Sequence, residues 1–204
     1  MNELLRVFTV EFVALFFAID IIGLVPIFIS LTASNTNNER KAIAKKGVAI
    51  AFGILLFFTL LGASVLHIFG ISIPAFRIAG GILLLLLAIG MVLGNEESTS
   101  ETQADMSDVS VFPLAMPLLS GPASISMLII FMKQANGLFQ KQLMTVLALF
   151  LNMVICYVVL VFATKISKFL GTTGINILNK IFGILLTALA CQFIITGISE
   201  AFNI

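Results

Sequence analysis

The hydrophobic residues of this chain fall in long runs, without the periodicity of a half-buried helix or the alternation of a strand. Six runs are visible, at about 7–31, 48–69, 75–93, 109–132, 143–164 and 178–199. A membrane-spanning helix needs about 20 mainly apolar residues, so the pattern predicts six spans joined by short loops. Loops are expected at Ser34 to Lys46, which carries Arg40, Lys41, Lys45 and Lys46, at a turn around Gly70 to Pro74, around Lys133 and Lys141, and around Lys165 and Lys168. Between the halves, 94–108 holds Glu96, Glu97, Glu101, Asp105 and Asp108 among Ser, Thr and Gln. It reads as a solvated linker.

The first run is interrupted at its centre by Asp20-Ile21-Ile22-Gly23-Leu24-Val25-Pro26. A charge near the bilayer centre costs roughly 2.5–3.5 kcal/mol on insertion scales. Proline removes a backbone donor and clashes with the preceding turn. A lipid-facing helix gains nothing from either, so the stretch predicts a broken helix lining a polar cavity. Of the five prolines, Pro74 lies in a turn, Pro26 in the first run, and Pro113, Pro117 and Pro122 in the fourth. Gly81-Ile82-Leu83-Leu84 recurs as Gly183-Ile184-Leu185-Leu186 at an offset of 102 residues, and Asp20 to Gly23 falls opposite Gly121 to Ser124 at an offset of 101. Together these predict an all-α integral membrane protein of six transmembrane helices. They form two inverted three-helix repeats, 1–94 and 109–204, joined by the acidic linker 95–108, with the first and fourth helices broken near the midplane. Gly/Pro-interrupted segments at matching positions point to a secondary transporter's binding site.

Composition agrees with the pattern. The chain of 204 residues is 60% hydrophobic and 10% charged, against about 45–50% and about 25% in soluble domains. A net charge of +1 gives no electrostatic case for nucleic acid. Cys156 and Cys191 lie in apolar runs, where free thiols behave as small hydrophobes. No cofactor or metal is expected. Glu3, Arg6 and Glu11 interrupt the pattern of a cleavable signal. With the N-terminus outside, the cytoplasmic face carries seven Lys and Arg residues and the outer face four. The positive-inside rule then predicts N-out and C-out.

Two interrupted helices meeting near the midplane would offer free N–H groups and a partial positive charge at their N-termini, suited to a carboxylate. Asp20 and unwound carbonyls suit an ammonium group or a coupling cation. Ser124 and Ser126 add hydroxyls, and Gly23, Gly121 and Ala123 let a small ligand approach the backbone. The candidate binding residues are therefore Asp20, Gly23, Pro26, Gly121, Pro122, Ala123, Ser124 and Ser126, with Asp20 and Asn152 as candidates for a coupling ion. Such a site matches a small zwitterion such as glycine or alanine. Each residue also has a structural reading. Asp20 can cap the second half of its helix, the Gly/Pro pairs can be kinks, and Ser124, Ser126 and Asn152 can hydrogen-bond within or between helices. Gly80, Gly81 and Gly183 suit helix packing. Arg77, Lys180 and His67 suit an interfacial position, and Glu11 suits the solvated outer headgroup region.

The runs Phe69-Gly70-Ile71-Ser72-Ile73-Pro74-Ala75-Phe76-Arg77-Ile78-Ala79-Gly80-Gly81, Phe112-Pro113-Leu114-Ala115-Met116-Pro117 with Gly121-Pro122, and Gln192-Phe193-Ile194-Ile195-Thr196-Gly197-Ile198 resemble the MarC family of bacterial and archaeal inner-membrane proteins. The resemblance covers nearly the whole chain. It implies a transporter, since relatives of the SnatA type carry small neutral amino acids and the family is grouped with LysE-like exporters. Two positions depart from the family pattern: Ile21 stands where proline often follows the first polar residue, and Ala123 replaces the last glycine of Gly-Pro-Gly.

The expected partners are a small amino acid, a coupling cation (H⁺ or Na⁺), the lipid bilayer and, where the chain assembles as a homo-oligomer, further copies of itself. The competing classes are an exporter of other metabolites or drugs, a channel, and a membrane scaffold. An intramembrane enzyme is disfavoured. Asp20 has no second embedded Asp, His67 sits at a span end away from Ser124 and Ser126, and no His-Glu-x-x-His motif occurs.

Overall fold

A bilayer offers backbone groups no water, so a spanning segment must satisfy its own hydrogen bonds. The computed structural model describes residues 3–93 and 109–202, and these are helical apart from short connections. The acidic linker lies outside the described residues. The elements are α1 (Glu3–Ile19), α2 (Leu24–Leu31), α3 (Asn37–Ile68), α4 (Ile73–Leu93), α5 (Ser110–Leu119), α6 (Pro122–Gln134) and α7 (Phe139–Phe202). Four stretches are long and apolar enough to cross a membrane alone: α3, Ile73–Gly90 of α4, and Phe139–Ala163 and Gly183–Phe202 within α7. Two bent pairs qualify together, α1 with α2 at 41° and α5 with α6 at 55°. The structure thus holds four to six spans, and both broken ones fall where the prolines were.

The first loop is shorter than the charge pattern suggested. Arg40, Lys41, Lys45 and Lys46 belong to α3, which begins at Asn37. The reason is a reciprocal cap at its start. The Glu39 N–H donates to Thr36 Oγ1 (3.4 Å) and the Thr36 N–H to Glu39 Oε2 (2.7 Å), which satisfies two orphan donors of the first turn. Arg40 is 7% exposed. Its Nε donates to the Thr32 carbonyl (2.8 Å) and its Nη2 to the Ala33 carbonyl (2.9 Å). These carbonyls end α2, where a cation also matches the helix dipole.

Around Lys165 and Lys168, where a loop is expected, helical backbone runs on from Phe139 to Phe202, but Phe139–Ala163 and Gly183–Phe202 qualify as separate spans on either side of them. No proline interrupts that stretch. Its two apolar parts nevertheless both reach α1. Asn152 bonds to Phe12, while Leu186 lines a cleft with Ile19. A straight helix would separate Asn152 from Leu186 by about 50 Å, whereas Phe12 and Ile19 are about 10 Å apart along α1. The element therefore doubles back between them.

Two buried clusters organise the interior. The larger joins α1, α2, α3, α5, α6 and the first part of α7 around Leu15, Ile19, Leu55, Leu114, Leu149 and Met153. The smaller joins Ile27, Leu84, Ala88, Leu186 and Ala190. Outward faces carry exposed Phe17, Leu60, Ile68, Leu86, Ile184 and Phe202. Water would penalise such a surface, but lipid accepts it. Without a hydrophobic drive between helices, close packing relies on small residues. A Cβ at Gly80 would lie 1.8 Å from the Pro122 ring, and one at Gly81 2.9 Å from the Ala190 carbonyl. Across the same α4–α7 seam Arg77 pairs with Glu200.

Gly80→Ala is accordingly expected to lower stability by about 1–3 kcal/mol through overpacking. Gly90, beside which a Cβ meets nothing within 4 Å, is the control, and its replacement by Ala should change stability by less than about 1 kcal/mol. Thermal unfolding of the detergent-solubilised protein compares the two.

Candidate functional site

The break between α1 and α2 is built by two residues that need each other. Asp20 adopts φ 52°, a left-handed conformation that Asp tolerates better than most residues. Its Oδ1 accepts the Gly23 N–H (3.2 Å), and its carbonyl accepts the Leu24 N–H (3.0 Å). The carboxylate thus caps the second half-helix. A Cβ on Gly23 would lie 2.2 Å from Asp20 Oδ2, so only glycine lets the carboxylate sit there. Pro26 lies in the first turn of α2, where its missing N–H removes an orphan donor. It starts the second half rather than kinking the first.

The second break uses proline differently. Phe112 and Met116, each followed by proline, are extended (φ −125° and −135°), outside the helical region that a following proline disfavours. They widen α5, and the Ser120 N–H reaches back to the Ala115 carbonyl (2.9 Å). The helix restarts at Pro122, with Gly121 as a cap that has no side chain to offer. The Ile125 N–H donates to the Gly121 carbonyl (3.1 Å). The N–H groups of Ala123 and Ser124 precede the first intrahelical bond and face the open N-terminal end of α6.

The two breaks meet. Ser124 Oγ donates to the Ala18 carbonyl (3.2 Å), an acceptor freed by the end of α1. Asp20, Gly121, Pro117, Leu84, Leu186 and Phe193 are among the residues that line one cleft of about 40 Å³. A water needs roughly 10–15 Å³ of such space, so the cleft holds only very small guests in this conformation. Asp20 is exposed there and supplies the cleft's charge, while leucine and phenylalanine wall it.

Of the residues singled out from sequence, Asp20 and Gly121 line the cleft, Gly23 seats the Asp20 carboxylate, and Ser124 joins the two breaks. Pro122 packs on Gly80, and Ala123 is half-buried next to it. Pro26 lies a turn away from the break. Ser126 is buried, with no protein partner for its hydroxyl among the described residues, and it does not line the cleft. Asn152 lies between α1 and α7 instead, its Nδ2 donating to Phe12 (3.1 Å) and Ala148 (2.9 Å) carbonyls. Glu11 is not solvated at the headgroups but 6% exposed against α7, because α1 turns that face inward. Leu84 and Leu186 had not been singled out. They close the two matching Gly-Ile-Leu-Leu stretches, so the repeat itself carried the signal.

A family profile described as MarC family integral membrane protein matches residues 5–202. A UPF0056 membrane protein of Methanocaldococcus jannaschii is 41% identical over 202 residues, covering 97% of this chain and 98% of its own. The UPF0056 membrane protein YhcE of Escherichia coli is 37% identical over 202 residues, covering 94% and 91%. One from Pyrococcus abyssi is 34% identical and spans 100% of both chains. No solved structure matches.

Gly23→Ala should push the Asp20 carboxylate off the Gly23 N–H and destabilise by about 1–2 kcal/mol, the value of a helix cap. Asp20→Ala should cost a similar amount. The double variant, followed by thermal unfolding, should lose clearly less than the sum of the two, since neighbours that act as one unit are not additive. Additive losses would show that the cap is not shared.

Proposed function

The chain belongs to the MarC family of integral membrane proteins, and we propose that it is a secondary transporter of small neutral amino acids, glycine or alanine in size. One observation carries the reading: two helices broken within the membrane meet at a single cleft that contains the Asp20 carboxylate and the Gly121 cap of α6. Asp20 suits the ammonium end of a zwitterion. The uncapped N–H groups at the start of α6 suit its carboxylate.

The pairing of the lining residues supports two inverted halves. Asp20 corresponds to Gly121 and Leu84 to Leu186 at nearly one offset, and all four line the cleft. Alternating access then consists of one half, 1–94, moving against the other, 109–204. In the observed conformation the cleft is far below the ~300 Å³ at which drug-sized pockets begin. That favours a small substrate over a bulky drug, and it requires the halves to part before a substrate can enter. Coupling to H⁺ or Na⁺ and an N-out, C-out orientation in a bacterial or archaeal cytoplasmic membrane complete the proposal.

The test is uptake of labelled glycine and alanine into proteoliposomes with imposed H⁺ or Na⁺ gradients. Gradient-driven accumulation is expected, falling about tenfold or more in Asp20→Asn, a loss of at least ~1.4 kcal/mol. No uptake by the wild type would overturn the reading. Full uptake by a correctly inserted Asp20→Asn would remove Asp20 from the mechanism.

A further inference from the structure

We propose that Glu11 and Thr145 form a proton-binding site between α1 and α7, separate from the Asp20 cleft, whose proton comes from and returns to water in the cavity beside Glu3 and Lys141.

Glu11 lies within a membrane-spanning helix and is 6% exposed. An ionised carboxylate in that setting needs a cation or several donors around it. The structure supplies neither from the described residues. The Thr145 hydroxyl on α7 lies against the carboxyl group, and it has one proton to share between that group and a second acceptor. Thr145 Oγ1 donates to the Lys141 carbonyl one turn back (3.3 Å), the usual bond of a helical threonine. Thr145 can thus give an ionised Glu11 at most one hydrogen bond, and only by leaving the Lys141 carbonyl; while it holds that carbonyl, its oxygen accepts from a protonated carboxyl group. Glu11 Oε2 is buried without a protein partner among the described residues. A protonated carboxyl donating to Thr145, which donates in turn to Lys141, forms a continuous chain. An ionised one would have that single donor at most and would leave Oε2 buried and unpaired.

The charged neighbours do not change this. On α7 the relevant cation is Lys141, whose Nζ is held by Glu3 Oε1 at 2.8 Å. On α6 it is Lys133, exposed in the last turn. On α1 itself Arg6 is exposed nearer the helix start. Cys156 and Tyr157 lie about three turns beyond Thr145. Sodium fits less well, because a hard cation seeks several oxygen ligands and Thr145 is the one hydroxyl placed here among the described residues. Glu3 and Lys141 line a cavity of about 290 Å³ with Leu138 and Phe139, and Thr145 is one turn below Lys141.

The use of this proton to drive transport rests on the proposed function; the existence of the site does not. Infrared spectroscopy of the full-length protein in lipid vesicles near neutral pH tests the site directly. A protonated-carboxyl band is expected that shifts in D₂O, disappears in Glu11→Gln and persists in Asp20→Asn. Thr145→Val should move the band to higher frequency by removing the acceptor, and Thr145→Ser should restore it. A Glu11→Gln difference spectrum showing only carboxylate would overturn the proposal, as would loss of the band when sodium replaces choline. An unmoved band in Thr145→Val would remove Thr145 from the site. In vesicles that transport, Glu11→Gln should lose acceleration by a pH gradient while retaining substrate exchange. A wild type that carries no amino acid would sink the transport reading and leave the infrared result standing.

Discussion

Backbone polar groups at membrane depth must find partners in protein or in a wetted cavity, and two interrupted helices put that requirement at the centre of this molecule. At the first break the Asp20 side chain and carbonyl take the Gly23 and Leu24 N–H groups, and Ser124 takes the Ala18 carbonyl. At the second, Ser120 donates its hydroxyl to the Ala51 carbonyl on α3 (3.2 Å). The start of α6 has no side-chain cap. The apolar cleft carries a charge because the helices are broken there, and its one carboxylate is also the cap that makes the first break affordable.

The surrounding packing follows from bringing those ends together. Pro122 can approach α4 only because Gly80 has no side chain, and α4 can lie on the second part of α7 only because Gly81 has none. Asp20 has no acidic counterpart across the cleft, where Gly121 occupies the matching place. The matching positions carry different chemistry. One half contributes charge and the other contributes a bare helix N-terminus and a hydroxyl.

Much of this was legible along the chain. The breaks were marked by Asp20, Gly23 and Gly121-Pro122, and the packing role of Gly80 and Gly81 by their small size. The start of α3 was misplaced because the charges of Arg40 to Lys46 outweighed the Thr36/Glu39 cap, which sets the helix start regardless of charge. Lys165 and Lys168 marked the edge between the two spans of α7 but not a helix end, because charge marks a membrane edge. Glu11 was placed in water because its distance from the N-terminus suggested depth, whereas its surroundings depend on which way α1 is turned.

By itself the sequence determined that the chain lives in lipid, roughly where it spans, and where it cannot run straight through. Those are consequences of local composition and of the fixed geometry of proline and glycine. The tertiary structure decided which groups meet: Asp20 with Gly23, Ser124 with Ala18, Glu11 with Thr145, Leu84 with Leu186. In water an apolar stripe tells a helix which face to bury. In lipid nearly every face is apolar and the stripe is lost. Rotation and register are then set by small-residue contacts and a few polar pairs, which exist only once the helices have packed.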